Sequence, residues 1–259
     1  MTEMMRNEFI GNLVSVIIPL FNSEKYIDLT LCSVFAQTYK NIEIIIVDDN
    51  SKDKSGEIIT KYQEVHPEIV YYRQNENYGA GVSRNKALEL ARGKYVAFLD
   101  SDDVWLPNKI EKQLELMNEK NTPFSYTAIE MIDDSNNLVK SKRKLVQKCN
   151  YKYLLRNTII ATSSVVIDRS KLGDFKMSQR RGGQDYATWL MLLRGGTIAY
   201  GIDEALVKYR VSKSSLSSNK LDSIRQVWEV QTKIEKIPKL SALFNVFCFI
   251  YNALKKYIF

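Results

Sequence analysis

A single histidine, His66, stands among 259 residues. That scarcity excludes histidine-based catalytic triads, histidine-rich metal sites and haem ligation, so acid–base chemistry falls to carboxylates. His66 itself precedes Pro67 and reads as a solvated loop residue. The three cysteines, Cys32, Cys149 and Cys248, lie too far apart for a zinc site or a disulfide framework, and they suit a reducing compartment. The opening stretch MTEMMRNEF is polar and acidic where a secretory signal needs a basic and then an apolar segment, so a cytoplasmic protein is expected. Residues 240–254 (LSALFNVFCFIYNAL) carry no charge, but fifteen residues with two asparagines are too short and too polar to span a bilayer. The most basic stretch carries only Tyr151 and Tyr153 among its bases, short of a single-strand stacking platform, so nucleic acid is not an expected partner.

What is present is an ordinary folded composition, 45% hydrophobic and 26% charged, in a length that suits one large domain with or without an appended segment. The net charge of +7 is unevenly spread. Lys140, Lys142, Arg143, Lys144, Lys148, Lys152 and Arg156 follow one another without an intervening acid. Such a run is either a solvated basic face or a surface for an anionic membrane or phosphorylated partner.

Residues 14–20 (VSVIIPL), 42–47 (IEIIIV) and 95–99 (YVAFL) are nearly continuous apolar runs, which read as strands buried on both faces of a parallel sheet. Helical patterns at 24–37, 54–65 and 82–91 alternate with them, and 69–73 is a further strand. The order is that of a doubly wound α/β sheet. A helix follows at 107–119, opened by a proline in its first turn. Beyond it the pattern predicts short strands at 124–131 and 163–167, a helix at 185–194 and a last strand at 205–211. In the final segment Leu240, Leu243, Phe244, Phe247, Ile250, Tyr251 and Leu254 share one helical face, flanked by Lys255, Lys256 and the aromatics of the terminus. That face fits a membrane interface, or else packing on the domain or a second subunit.

In an open parallel sheet, ligands bind outside the carboxyl ends of the strands. Two strands end there in acids: Asp48 and Asp49 before Asn50 and Ser51, and Asp100, Asp102 and Asp103 around Ser101. Left alone, five such acids repel one another and raise their own pKa values. They could cap the following helices. Two clusters at one edge, however, call for a hard divalent cation, completed by diphosphate oxygens and water. The stretch Asn75-Glu76-Asn77-Tyr78-Gly79-Ala80-Gly81-Val82-Ser83-Arg84 then supplies glycines for close backbone approach and an arginine suited to phosphate.

With these residues in view, the chain resembles the family 2 glycosyltransferases of the GT-A fold. The likeness runs over about residues 14–209, through VSVIIPLFN, IIIVDDNSKDKS, NYGAGVSRNKAL, ARGKYVAFLDSDD and GQDYATWL. It implies a Rossmann-like, mostly parallel sheet in a domain of residues 1–219, with a nucleotide-sugar half (about 12–105), an acceptor half (about 106–219) and a helical extension at 220–259. It further implies that Pro19, Leu20, Phe21, Asn22, Asp48, Asp49, Asn77, Arg84, Asp100 and Ser101 bind the nucleotide sugar. Asp102, with Asp100, would hold Mn2+ or Mg2+, and Asp185 would be the catalytic base. Gln184-Asp185 stands where relatives carry a Glu-Asp pair, and Ser212 where many carry a histidine able to help hold the metal. The basic, glycine-bearing loop 179–183 reads as flexible. The Gln-x-x-Arg-Trp motif of processive synthases is absent, which implies one sugar per encounter.

The expected reaction is inverting transfer from a nucleotide-diphosphate donor, uridine by family habit, to a glycan on a polyprenyl-diphosphate lipid at the inner face of a bacterial membrane. Two rivals are weaker. A nucleotidyltransferase needs a glycine-rich loop after the first strand, where Leu20-Phe21-Asn22-Ser23 has no glycine. A non-catalytic scaffold has no need of intact acids at 100, 102 and 185.

Overall fold

Continuous apolar strands require cover on both faces, and the structure shows what supplies it. It is a computed structural model describing residues 9–141, 145–211 and 220–258. Strand β1 (Ile10–Leu20) leads through α1 (Ile27–Phe35), β2 (Ile42–Asp48), α2 (Ser55–Val65), β3 (Ile69–Arg73) and α3 (Ala80–Leu90) to β4 (Gly93–Phe98). Strands β3, β2, β1 and β4 lie side by side and parallel. Alternate residues of each strand enter opposite cores. Ile17, Ile45, Val47, Val96 and Phe98 join Ala87, Trp189 and Leu190 on one face. Val16, Ile18, Ile44, Ile46 and Ala97 join Leu31, Ile59 and Ile110 on the other.

The second half continues the same sheet with β5 (Val104–Trp105), α4 (Lys109–Glu119), β6 (Phe124–Ile132), β7 (Leu138–Lys140), β8 (Lys148–Cys149), α5 (Tyr151–Leu154), β9 (Val166–Asp168), α6 (Arg169–Leu172), α7 (Gln184–Leu193) and β10 (Ala199–Arg210). The sheet order is β3-β2-β1-β4-β9-β6-β10-β5, with β7 on β6 and β8 on β10. Here the pairing is mixed: β9 runs antiparallel to both β4 and β6, while β10 is parallel to β6. The strand expected at 163–167 is preceded by a 3-10 turn, Thr162–Ser164. The last strand starts at Ala199 rather than 205. Its register breaks between Ile202 and Val207, and that irregularity hides the alternation a sequence pattern relies on.

Helix α8 (Lys220–Glu229), a π-helical turn (Val230–Ile234) and α9 (Lys239–Ile258) close the described chain. Ala242, Asn245 and Val246 bury one side of α9, and Phe249 and Ile250 pack beside them. Leu240, Leu243, Phe244, Phe247 and Tyr251 stay exposed. Ile250 therefore leaves the expected outer row, and Leu254 to Phe259 carry no described side chains. Among the described residues no helix is long and apolar enough to cross a membrane. Residues 1–8, Lys142, Arg143, Lys144 and Ser212 lie outside the described residues. His66 is not simply solvated: its ring stacks on Phe35 with centroids 3.9 Å apart, and Nδ1 meets Glu68 at 3.0 Å.

Lys109, at the start of α4, is wholly buried, its Nζ lying 3.8 Å from the centre of the Trp105 ring and finding no hydrogen-bond partner. The ring favours a charged amine, but burial without an acceptor opposes it and pushes the pKa well below the usual lysine value. The unfolded chain therefore binds the extra proton, and the fold loses stability as pH falls from about 10.5 towards the depressed value. Lys109→Met should raise stability at neutral pH by about 1–3 kcal/mol, the cost of an unsatisfied buried group. It should also flatten this slope, as thermal melts across pH will show.

Candidate active site

The carboxyl ends of β1, β2 and β4 meet at one edge. After β1, Asn22 adopts a left-handed backbone (φ 48°). Its N–H donates to Ser51 Oγ (3.0 Å) and its Oδ1 accepts from Lys52 N–H (2.8 Å), so the loops after β1 and β2 are locked together. Pro19 and Leu20 are buried in β1 beside Val47 and Asp48, while Phe21 is exposed at the rim.

The two acids after β2 do different work. Asp48 is fully buried: Oδ1 accepts from Ser51 N–H (2.7 Å) and Oδ2 from the Tyr71 hydroxyl (2.7 Å), which ties β2 to β3. Burial, with Asp48 next to it, pushes the Tyr71 phenol up. Asp49 instead accepts from Gln74 Nε2 (2.7 Å), Tyr78 N–H (2.8 Å) and Gly79 N–H (2.7 Å). It thereby holds the turn that leads into α3 and caps neither α3 nor the helix that follows it in sequence. Asn77 lies exposed over the same turn, its amide 3.4 Å from the Asp49 carbonyl.

The glycines of this turn serve the protein itself. Gly79 has φ 91°, a conformation that side chains rarely adopt. A Cβ on Gly81 would stand 2.3 Å from Gln184 Oε1 and 2.7 Å from the Ser178 carbonyl. The close approach expected here is thus to α7 and its preceding loop, which seats the acceptor half against α3. That loop is also held: Arg180 pairs with Glu229 of α8, and Arg180 and Lys233 hold the Glu229 carboxyl down at about 2. Of residues 179–183, for which flexibility was expected, Arg180 is the one these contacts tie to α8.

Arg84, 4% exposed in the first turns of α3, pairs through Nη2 with Asp100 at the tip of β4. Its Nε–H is buried and has no partner. Asp185, in the first turn of α7, is partly buried. Burial raises its pKa, the nearby Arg84 guanidinium lowers it and Asp100 raises it again. Ser101 Oγ bonds Ser23 Oγ (2.7 Å). Asp102 is pushed up to about 6, first by burial and then by the Asp100 charge, with Arg210 opposing.

The supporting roles of Asp103, Ser163 and Arg210 were not read from the sequence. Asp103 is buried, accepts from Ser163 Oγ (2.5 Å) and Arg210 N–H (2.8 Å), and is raised well above the carboxylate range by burial and its acidic neighbours. It does not cap α4. Ser163 Oγ also accepts from Asp100 N–H (3.0 Å). Arg210, 3% exposed, donates through Nε to the Asp102 carbonyl (2.8 Å) and through Nη2 to Asn136 Oδ1 (2.7 Å). The adjacent acids at 102 and 103 and an arginine ending the last strand were the available signal.

No group of three or more acids, histidines or cysteines among the described residues forms a ready-made metal cluster. What the edge offers is Asp102, raised by burial and by its neighbour, with Asp100 already paired to Arg84. That donor set fits a cation held by one or two carboxylates and otherwise by substrate phosphates and water.

Comparison with known proteins accords with this geometry. The model of "Glycosyl transferase family 2" matches residues 15–181. TuaG of Bacillus subtilis, named as a teichuronic acid biosynthesis glycosyltransferase, is 41% identical over 94% of this chain and 97% of its own. WfgD of Escherichia coli, named as a UDP-Glc:alpha-D-GlcNAc-diphosphoundecaprenol beta-1,3-glucosyltransferase, is 35% identical over 95% and 96%. The mannosyltransferase PcManGT of Pyrobaculum calidifontis, solved with GDP-Man and Mn2+, superposes with a TM-score of 0.68 at 18% identity, covering 93% of this chain and 73% of that one, and so shares the GT-A fold. The chain belongs to glycosyltransferase family 2 and is a sugar-transferring enzyme of the GT-A fold.

Proposed function

We propose that this enzyme transfers one sugar per encounter, with inversion, from a uridine-diphosphate donor to a hydroxyl of a lipid-diphosphate-linked glycan in bacterial surface-polysaccharide synthesis. The carrying observation is that α3 joins the two halves: its Arg84 pairs with Asp100 of the nucleotide half, and its Gly81 lies against Gln184, the residue before Asp185 in the acceptor half. The names of TuaG and WfgD support the polysaccharide class, and that of WfgD supports the uridine donor and the lipid-linked acceptor. Residues 1–219 form the transferase unit in this reading, and 220–259 an extension lying against the membrane at the cytoplasmic side.

Pro19 to Asn22, Asp48, Asp49 and Asn77 frame the base and ribose, with Asp49 holding the turn that presents Arg84. The unpartnered Nε–H of Arg84 suits a phosphate oxygen. Asp185 accepts the proton of the attacking hydroxyl, which approaches the anomeric carbon opposite the leaving diphosphate, and the displacement needs no covalent intermediate. A Mn2+ or Mg2+ ion, the metal present in the solved neighbour being Mn2+, would be held by Asp102 with Asp100 beside it and would supply positive charge for the departing diphosphate.

The test is a screen of nucleotide sugars with Mn2+ and a lipid-linked acceptor, scoring release of nucleoside diphosphate. A uridine donor should turn over and a chelator should abolish the signal. Transfer undiminished in chelator overturns the metal assignment, and no turnover with any donor favours the scaffold reading.

A further inference from the structure

Of the seven-base run of residues 140–156, three cations lie together in the structure. Lys148, Lys152 and Arg156 line one cleft of about 530 Å³ between the α5 segment and α9, together with Asn150, Asn157 and Tyr153. No carboxylate is among its lining residues. All three cations are exposed, and Lys152 has no acidic partner among the described residues. Arg156 is held in place: its Nε donates to Asn245 Oδ1 (3.2 Å), its guanidinium lies 5.1 Å from the centre of the Phe244 ring, and its carbonyl accepts from Asn252 (3.3 Å). One fixed guanidinium and two exposed ammonium groups, with no carboxylate lining the cleft, set a field for an anion.

The other wall is apolar. Phe247 and Tyr251 line the cleft and also belong to the exposed outer row of α9, at 68% and 59% exposure. A ligand that satisfies both walls has an anionic head and hydrocarbon beside it, which describes a phospholipid and not a free phosphate. We infer that the cleft between the α5 segment and α9 is a binding site for the phosphate headgroup of an anionic membrane phospholipid, whose chains follow the apolar face of α9. The inference deepens the membrane reading proposed above and rests on it.

The site has a route to the base-bearing helix. Asn245, which holds Arg156, donates to Gln231 Oε1 (3.0 Å). Gln231 Nε2 donates to the Leu155 carbonyl (2.7 Å) and the Tyr186 hydroxyl (3.0 Å), one residue beyond Asp185. A headgroup in the cleft therefore seats α7 at a set height over the bilayer, where a lipid-borne acceptor must present its hydroxyl.

The experiment is sedimentation of the full chain with vesicles of phosphatidylcholine alone or with added phosphatidylglycerol. Lys148→Gln combined with Lys152→Gln should weaken binding to the anionic vesicles by about 30-fold, the share of two cations at an anionic surface. Lys61→Gln with Lys171→Gln removes the same charge from elsewhere and should change binding by less than about threefold, the effect of distant charges being screened. Equal losses in the two double variants overturn the cleft in favour of general attraction. So does failure of the wild-type chain to bind either vesicle, or binding of inorganic phosphate by a chain that ignores vesicles. Sedimentation needs no turnover, so the two readings fail separately. A chain that binds anionic vesicles yet releases no nucleotide refutes only the transferase proposal. One that glycosylates a water-soluble acceptor yet fails the vesicle test refutes only the cleft.

Discussion

Asp185→Asn should lower the transfer rate by about 100- to 10,000-fold, the usual contribution of a general base, while leaving the donor KM within about twofold. The amide keeps the shape and the hydrogen bond to Tyr186 N–H (2.8 Å) but cannot take a proton. The wild-type profile carries the same signature. Burial holds the Asp185 carboxyl above its ordinary range, with Arg84 opposing, so the acid limb of kcat should lie above the pH at which an exposed aspartate titrates. Activity falls as pH drops through that limb because the protonated acid is no base.

The sign for stability is the reverse. With the folded pKa raised, the folded chain binds the proton more tightly than the unfolded one, and stability declines as pH rises from the unfolded value through the folded one. At neutral pH Asp185 therefore costs stability, and the asparagine variant should melt at a higher temperature than the wild type. Near-normal release of nucleoside diphosphate by a well-folded Asp185→Asn enzyme would remove the residue from its role. A site held at the expense of stability is what a function-bearing group leads one to expect.

The nucleotide half was legible because its strands obey one rule. Runs such as IEIIIV are apolar throughout, since both sheet faces are covered, and they end in acids where the sheet ends. What the sequence concealed is the division of labour among those acids. Asp48 and Asp49 are neighbours of one type, yet one staples β2 to β3 and the other holds the turn before a helix some thirty residues on. No local pattern carries that distinction, because it depends on where β3 and α3 return. Gly81 was readable as a place of close approach, but the partner, Gln184, lies more than a hundred residues away. Asp103 and Arg210 were obscured for the same reason, and the bulged start of β10 lost its alternation to irregular pairing with β6.

Arg84→Gln should act on stability, on pH dependence and on donor binding together, and the combination identifies the charge as the cause. The guanidinium is 4% exposed and pairs with an Asp100 carboxyl that keeps some contact with water, its side chain being 28% exposed. Breaking a buried pair costs about 3–5 kcal/mol, and the partial exposure of Asp100 places the expected loss near the lower end. Glutamine retains a polar tip but no charge, so Asp185 loses the one influence that lowers its pKa most among neighbouring charges. The acid limb of kcat should therefore move to higher pH, the direction that loss of a nearby cation imposes. The donor KM should rise, as the buried Nε–H available to a phosphate oxygen is gone. Arg84→Lys separates charge from shape: the ammonium should preserve the position of the acid limb while the loss of the planar fork still raises KM. Thermal melts, a pH–rate profile and donor titration read the three effects independently. An Arg84→Gln enzyme whose acid limb and melting temperature both match the wild type would show that the two halves are not coupled through this side chain.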